Sequence, residues 1–151
     1  MKELNLKTSS KEETQRLGET IGTLVKPDMV FLMKGDLGAG KTTFTQGVAK
    51  GLGIKRTVTS PTFTIQKLYR DGRLTLNHID AYRLEGISQD LGFEEYMMDG
   101  GLTVIEWSEF APDLIPNEYM SITITLDEDF SRNFKFEAVG QEYETLLEEI
   151  K

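Results

Sequence analysis

The sequence predicts an α/β fold in one domain, residues 1–151: a mixed sheet with parallel core strands and antiparallel hairpins, flanked by helices. Three observations carry this reading. The runs "MVFLMKG" and "GLTVIEW" are short and almost wholly apolar, as strands buried on both faces are. The runs "YMSITITLD" and "RNFKFEAVG" alternate apolar and polar residues, as antiparallel strands do. Segments with helical periodicity stand before, between and after these strands, and such mixing of types points to layered α/β packing.

Taken in order, the first helix is expected within "TSSKEETQRLGETIGTLVK". Ser10 and Glu13 have capping-box spacing, and Leu17, Ile21 and Leu24 share one face. Pro27 and Asp28 stop it. "MVFLMKG" follows as a buried strand ended by Gly35. Lys41 to Leu52 reads as a second helix, with Phe44, Val48 and Leu52 on one side and Gly51 and Gly53 closing it. Two β-rich runs then flank "RDGR", where Asp71-Gly72 signals a hairpin. A short helix is expected over residues 88–98, and Met97 and Met98 there read as core packing. After "GLTVIEW" and the two alternating strands, "QEYETLLEEIK" closes the chain as an amphipathic helix with Tyr143, Leu147 and Ile150 inward.

Composition narrows the chemistry. The chain of 151 residues has no cysteine, which excludes a disulfide framework, a thiolate metal site and a cysteine nucleophile. One histidine, His78, cannot build a multi-histidine metal site within one chain. Alone on a strand, it reads as a hydrogen-bonded structural residue. The net charge of −8 gives no global footprint for nucleic acid, so no direct sequence-specific nucleic-acid binding is expected. The start lacks the apolar run of a signal peptide, and no stretch approaches the roughly 20 apolar residues of a membrane span. A cytoplasmic location is the resulting expectation, with no membrane association.

"GDLGAGKTT", Gly35 to Thr43, carries the chemistry. It satisfies G-x-x-x-x-G-K-[ST], with an apolar strand before it and a helix after it, the context a phosphate loop requires. Gly35, Gly38 and Gly40 let the backbone turn its N–H groups inward as an anion nest, over the stretch that includes Asp36, Leu37 and Ala39. The helix dipole adds positive potential. Lys41 can reach the β- and γ-phosphates of ATP, Thr42 can place its hydroxyl on Mg²⁺, and Thr43 supports the helix start. The Asp36 carboxylate is expected to face away from the phosphates. The motif and its flanks together point to a P-loop NTPase fold. No N-K-x-D motif follows, so guanine specificity is not supported.

A phosphate loop needs a carboxylate for the metal, usually at the end of a neighbouring strand. Glu106 ends "LTVIE" and Asp80 ends "LTLNHID". In one division of labour Glu106 supports the Mg²⁺ shell and Asp80 orients or deprotonates the attacking water. "SPTF" (Ser60, Pro61, Thr62, Phe63) offers a hydroxyl that could sense a γ-phosphate, as switch segments do. Trp107 follows Glu106 and would report nucleotide by fluorescence. No arginine finger is marked, although Arg83 is an internal candidate.

In order along residues 35–107, "GDLGAGKTT", "SPTF", "HIDAYR" and "VIEW" resemble the TsaE family, also called YjeE or YdiB. "HIDAYR" fits that family's H-x-D-x-Y-R pattern, and the chain length agrees. The resemblance implies a P-loop ATPase that works with the proteins TsaD and TsaB. Together they make the threonylcarbamoyl modification of adenosine 37 in tRNAs reading codons that start with A. In that scheme TsaD and TsaB carry the transfer chemistry, while the ATPase binds their complex and resets it between turnovers. Carried over, Lys41 is the phosphate lysine, Thr42 and Glu106 hold Mg²⁺, Asp80 serves hydrolysis, and residues 60–63 switch. The resemblance also places the nucleotide base near Ser10 and Lys11, with Arg132 close by. Two other readings share the motifs: a nucleotide-gated binding module with incidental hydrolysis, and a small-molecule kinase.

Overall fold

The computed structural model describes residues 2–35, 40–59, 66–82, 97 and 99–150. Asp36–Ala39 of the loop, the segment 60–63, Arg83, and the helix expected over 88–98 apart from Met97 lie outside the described residues. Seven strands and three helices are described: β1 (Lys2–Thr8), α1 (Lys11–Leu24), β2 (Val30–Lys34), α2 (Lys41–Gly51), β3 (Gln66–Tyr69), β4 (Leu76–Asp80), β5 (Leu102–Glu106), β6 (Tyr119–Leu126), β7 (Arg132–Val139) and α3 (Gln141–Ile150). Two 3-10 turns, Ser108–Phe110 and Pro112–Leu114, follow β5.

The strands form one sheet in the order β1-β7-β6-β2-β5-β4-β3. β6, β2, β5 and β4 run parallel, and β3, β7 and β1 are added antiparallel. This is the mixed sheet the sequence predicts. β2 and β5 sit centrally because every residue from Val30 to Met33 and from Leu102 to Glu106 is buried. Both faces of a central strand must be covered, hence the continuous apolar runs.

β1 was not among the expected elements. Only Leu4 and Leu6 are apolar in it, and its burial alternates weakly. It is an edge strand paired to β7, with Leu4 and Leu6 packed on the main core. The charged residues flanking them, Lys2, Glu3 and Lys7, suit an exposed edge.

α1, α2 and α3 all join one core with one sheet face, including Phe31, Met33, Val104, Ile122 and Phe136. On the opposite face Val30, Leu32, Ile79, Ile105 and Met97 pack with Ala111, Leu114 and Ile115. Met97 is therefore in a core, as expected. α3 buries Tyr143, Leu146 and Leu147, while Ile150 is only partly buried. The Tyr143 hydroxyl accepts the Val30 N–H at 2.7 Å and pins α3 to the start of β2.

α1 starts as its sequence demands. The Ser10 side chain accepts the Glu13 N–H at 3.1 Å. The Glu13 carboxylate accepts the Ser9 N–H at 2.6 Å, one residue earlier than in a reciprocal capping box. α1 and α2 then cross backbone to backbone. A Cβ on Gly18 or Gly22 would stand 2.4 or 2.2 Å from Phe44 O or Val48 O. One on Gly47 or Gly51 would stand 2.2 Å from Gln15 O or Glu19 O. Only glycine permits this approach, and it fixes where α2 begins. β3 and β4 form the expected hairpin around Asp71-Gly72. The Asp71 carboxylate accepts from Lys55 N–H and Arg56 Nε, both at 3.1 Å, tying the hairpin to the chain after α2. Among the described residues no helix is long and apolar enough to cross a membrane.

Candidate functional site

The parallel strands β2, β5 and β4 bring their carboxyl ends to one edge of the sheet, where open α/β sheets place ligands. β2 leads into Gly35, whose φ is +145°, and α2 is preceded by Gly40 at φ +109°. Both angles favour glycine. Gly40 caps α2 without any side-chain hydrogen bond. Its missing Cβ also matters, because Arg132 Nε and Cδ would lie 2.7 and 2.8 Å from it. Arg132, first residue of β7, is opposite Thr8 of β1. Thr8 leads within three residues to Ser10 and Lys11 at the start of α1. The fold thus brings Arg132 against Gly40 and the α1 start close behind Arg132. The Ser10 side chain is engaged as the α1 cap.

Lys41 opens α2 and is buried. Its Nζ lies 3.5 Å from Glu106 Oε1 and 4.9 Å from the Trp107 ring centroid. Thr42 and Thr43 follow, half-buried, in the first turn. The Thr45 hydroxyl donates to Lys41 O at 2.8 Å.

Glu106 and Asp80 are register partners at the ends of β5 and β4, both buried. Two-residue periodicity puts His78 on the same face as Asp80. His78 Nε2 reaches diagonally to Glu106 Oε2 at 2.7 Å. Burial pushes the Glu106 carboxyl up. The His78 hydrogen bond and the attraction of His78 and Lys41 outweigh burial, so its pKa lies below the ordinary glutamate value. Glu106 is therefore a carboxylate at neutral pH. Asp80 accepts the Tyr82 N–H on Oδ1 at 3.0 Å, which turns the chain as β4 ends.

Trp107 sits in the left-handed region at φ +59°, the bend that carries the chain out of β5. It stacks on Phe110 with centroids 6.0 Å apart, and Tyr82 meets both rings edge-on at 5.3 and 5.5 Å. The structure brings the sequence-predicted Lys41, Glu106 and Asp80 to one sheet edge and adds two contacts that sequence reasoning missed: His78 on Glu106 and Trp107 on Lys41. The signal for the first was the two-residue spacing of His78 and Asp80.

Among the described residues no cluster of three or more acidic or histidine side chains could hold a metal alone. Glu106, a buried carboxylate beside Lys41, could give one oxygen to a cation that completes its shell with water and phosphate, as Mg²⁺ does.

A G-x-x-x-x-G-K-[ST] sequence between a buried strand and a helix, with Lys41 beside the acidic end of a parallel strand, marks a class of α/β proteins. Within that class the comparisons are specific. The family model "Threonylcarbamoyl adenosine biosynthesis protein TsaE" matches residues 8–134. The chain belongs to the TsaE family, whose proteins take part in tRNA threonylcarbamoyladenosine biosynthesis. The tRNA threonylcarbamoyladenosine biosynthesis protein TsaE of Bacillus subtilis is 47% identical over 150 residues, covering 99% of this chain and 95% of that protein. The TsaE of Treponema pallidum is 40% identical over 125 residues, 82% of this chain and 92% of that one. The crystal structure of YdiB from Bacillus subtilis superposes with a TM-score of 0.86 at 41% identity, covering 99% of this chain and 94% of that one.

Proposed function

We propose that this protein is an ATPase subunit that binds and hydrolyses Mg-ATP. Its turnover would support repeated rounds of threonylcarbamoylation at adenosine 37 by TsaD and TsaB. The observation that carries the reading is the buried pair Lys41–Glu106, 3.5 Å apart, where the loop helix meets the end of β5. A cation and an ionised carboxylate held together there are the two charges that phosphate and metal recognition need. Family membership supplies the pathway.

In this reading the loop N–H groups and the start of α2 hold the phosphates. Lys41 contacts the β- and γ-phosphates, while Thr42 and Glu106 hold Mg²⁺, which when bound neutralises charge developing on the phosphate oxygens. Asp80 orients the attacking water and accepts its proton. Residues 60–63 respond to the γ-phosphate. Arg132, against Gly40, contributes positive charge at the same mouth. Groups supplied by a partner are worth ~10³ or more in rate for such enzymes, so turnover by the isolated chain should be slow.

One observation favours the second reading, a nucleotide-gated module with incidental hydrolysis. Asp80 Oδ1 already serves the turn to Tyr82. Calorimetric titration with ATP and phosphate release assays on Lys41→Ala and Asp80→Ala separate the two readings. The ATPase reading expects Lys41→Ala to lose ATP binding, and Asp80→Ala to bind ATP while phosphate release falls ~10²-fold or more. Unchanged phosphate release in Asp80→Ala favours the module. Unchanged ATP affinity in Lys41→Ala overturns both.

A further inference from the structure

The mechanism above leaves His78 unused, yet it is the most completely buried polar group at the site. It shows no solvent exposure and lies inside β4, where an aliphatic side chain would pack at no polar cost. Its Nε2 stands 2.7 Å from Glu106 Oε2. A carboxylate is an acceptor only, so Nε2 carries the hydrogen and donates it. Nδ1 has no hydrogen-bond partner among the described residues. The imidazole therefore spends its one polar contact on Glu106. That contact fixes one carboxylate oxygen and turns the other, Oε1, toward Lys41 at the loop.

We infer that His78 is a positioning residue that orients Glu106 for the divalent cation, acting through the carboxylate and touching neither nucleotide nor metal. The inference rests on the reading of Glu106 as a Mg²⁺ ligand. Outer partners of this kind hold a ligand in one geometry, and their loss typically costs 10–100-fold in metal affinity. Stability alone is a weaker account, because a buried polar pair rarely stabilises more than well-packed apolar residues do.

The test is Mn²⁺ binding to the full chain with a non-hydrolysable ATP analogue, followed by electron paramagnetic resonance. Analogue affinity without metal is measured in parallel. Glu106→Gln should lose metal affinity, which tests the underlying reading by itself; if it does not, that reading and this inference both fail. His78→Leu should weaken Mn²⁺ about 10-fold or more while metal-free analogue affinity stays within about twofold. The decisive pair is His78→Gln against His78→Asn. The glutamine amide can reach the Nε2 position and should restore Mn²⁺ binding. The shorter asparagine amide cannot reach Glu106 and should not. This pair also decides the matter if His78→Leu fails to fold. Wild-type Mn²⁺ affinity in His78→Asn, or equal losses in the glutamine and asparagine variants, would overturn the inference while leaving Glu106 as ligand intact.

Discussion

Glu106 accepts from His78 on one oxygen and faces Lys41 with the other, and its behaviour with pH follows. Its folded pKa lies below the ordinary value, so the folded state binds this proton less readily than the unfolded chain. The stabilisation is fully present above the unfolded glutamate pKa of about 4.3 and is lost as pH falls through the lower folded value. Urea melts across acid pH should show wild-type stability falling more steeply than that of Glu106→Gln below about pH 4.3, with parallel curves above pH 6. Parallel curves throughout would mean Glu106 gains nothing from its partners. Trp107 gives a second readout. It is the single tryptophan, with Lys41 Nζ 4.9 Å from its ring, so ATP that engages Lys41 should change its emission saturably. Lys41→Ala should abolish that change at the same ATP concentrations. Lys41, Glu106 and Asp80 were legible because the loop motif and the strand ends fix chain position. The contacts of His78 and Trp107 were not: two-residue spacing puts His78 on the face of Asp80, but neither its diagonal reach to a neighbouring strand nor a left-handed residue after a strand can be read from spacing.

Among the elements, α2 decides where Lys41 stands, and the glycine crossing with α1 decides where α2 stands. A Cβ at Gly47 would meet Gln15 O at 2.2 Å, so Gly47→Ala forces the helices apart. Overpacking of this kind costs about 1–3 kcal/mol, offset by up to ~1 kcal/mol of helix propensity. With backbone oxygen as the obstacle a net loss of about 1–2 kcal/mol is expected, which in a chain of this size should lower Tm by roughly 2–8 °C, read by calorimetry. An unchanged Tm would show that the crossing has slack. Periodicity and caps revealed all three described helices. The four-residue spacing of Gly18 with Gly22 and of Gly47 with Gly51 is equally visible in the sequence. It acquires meaning only when two helices face each other, and a single chain segment cannot state its partner. β1 escaped notice because an edge strand buries one weak stripe and needs no strong pattern.

For the whole molecule, sheet order was beyond local reading. β2 lies between β5 and β6, neighbours that only long-range pairing selects. That order is what gathers Lys41, Glu106, His78 and Asp80 at one edge. The net charge of −8 gives no global footprint for nucleic acid, and the proposed function therefore assigns the tRNA to the partner proteins. Partner dependence should appear as slow ATP turnover by the isolated chain and faster turnover when TsaD and TsaB are added. The most direct measurement counts modified tRNAs per TsaD–TsaB complex in a reconstituted reaction containing either wild type or Asp80→Ala, with ATP binding by the variant verified first. The ATPase account predicts many rounds with wild type and about one round with the variant. Many rounds with a variant that binds ATP and does not cleave it would contradict the account.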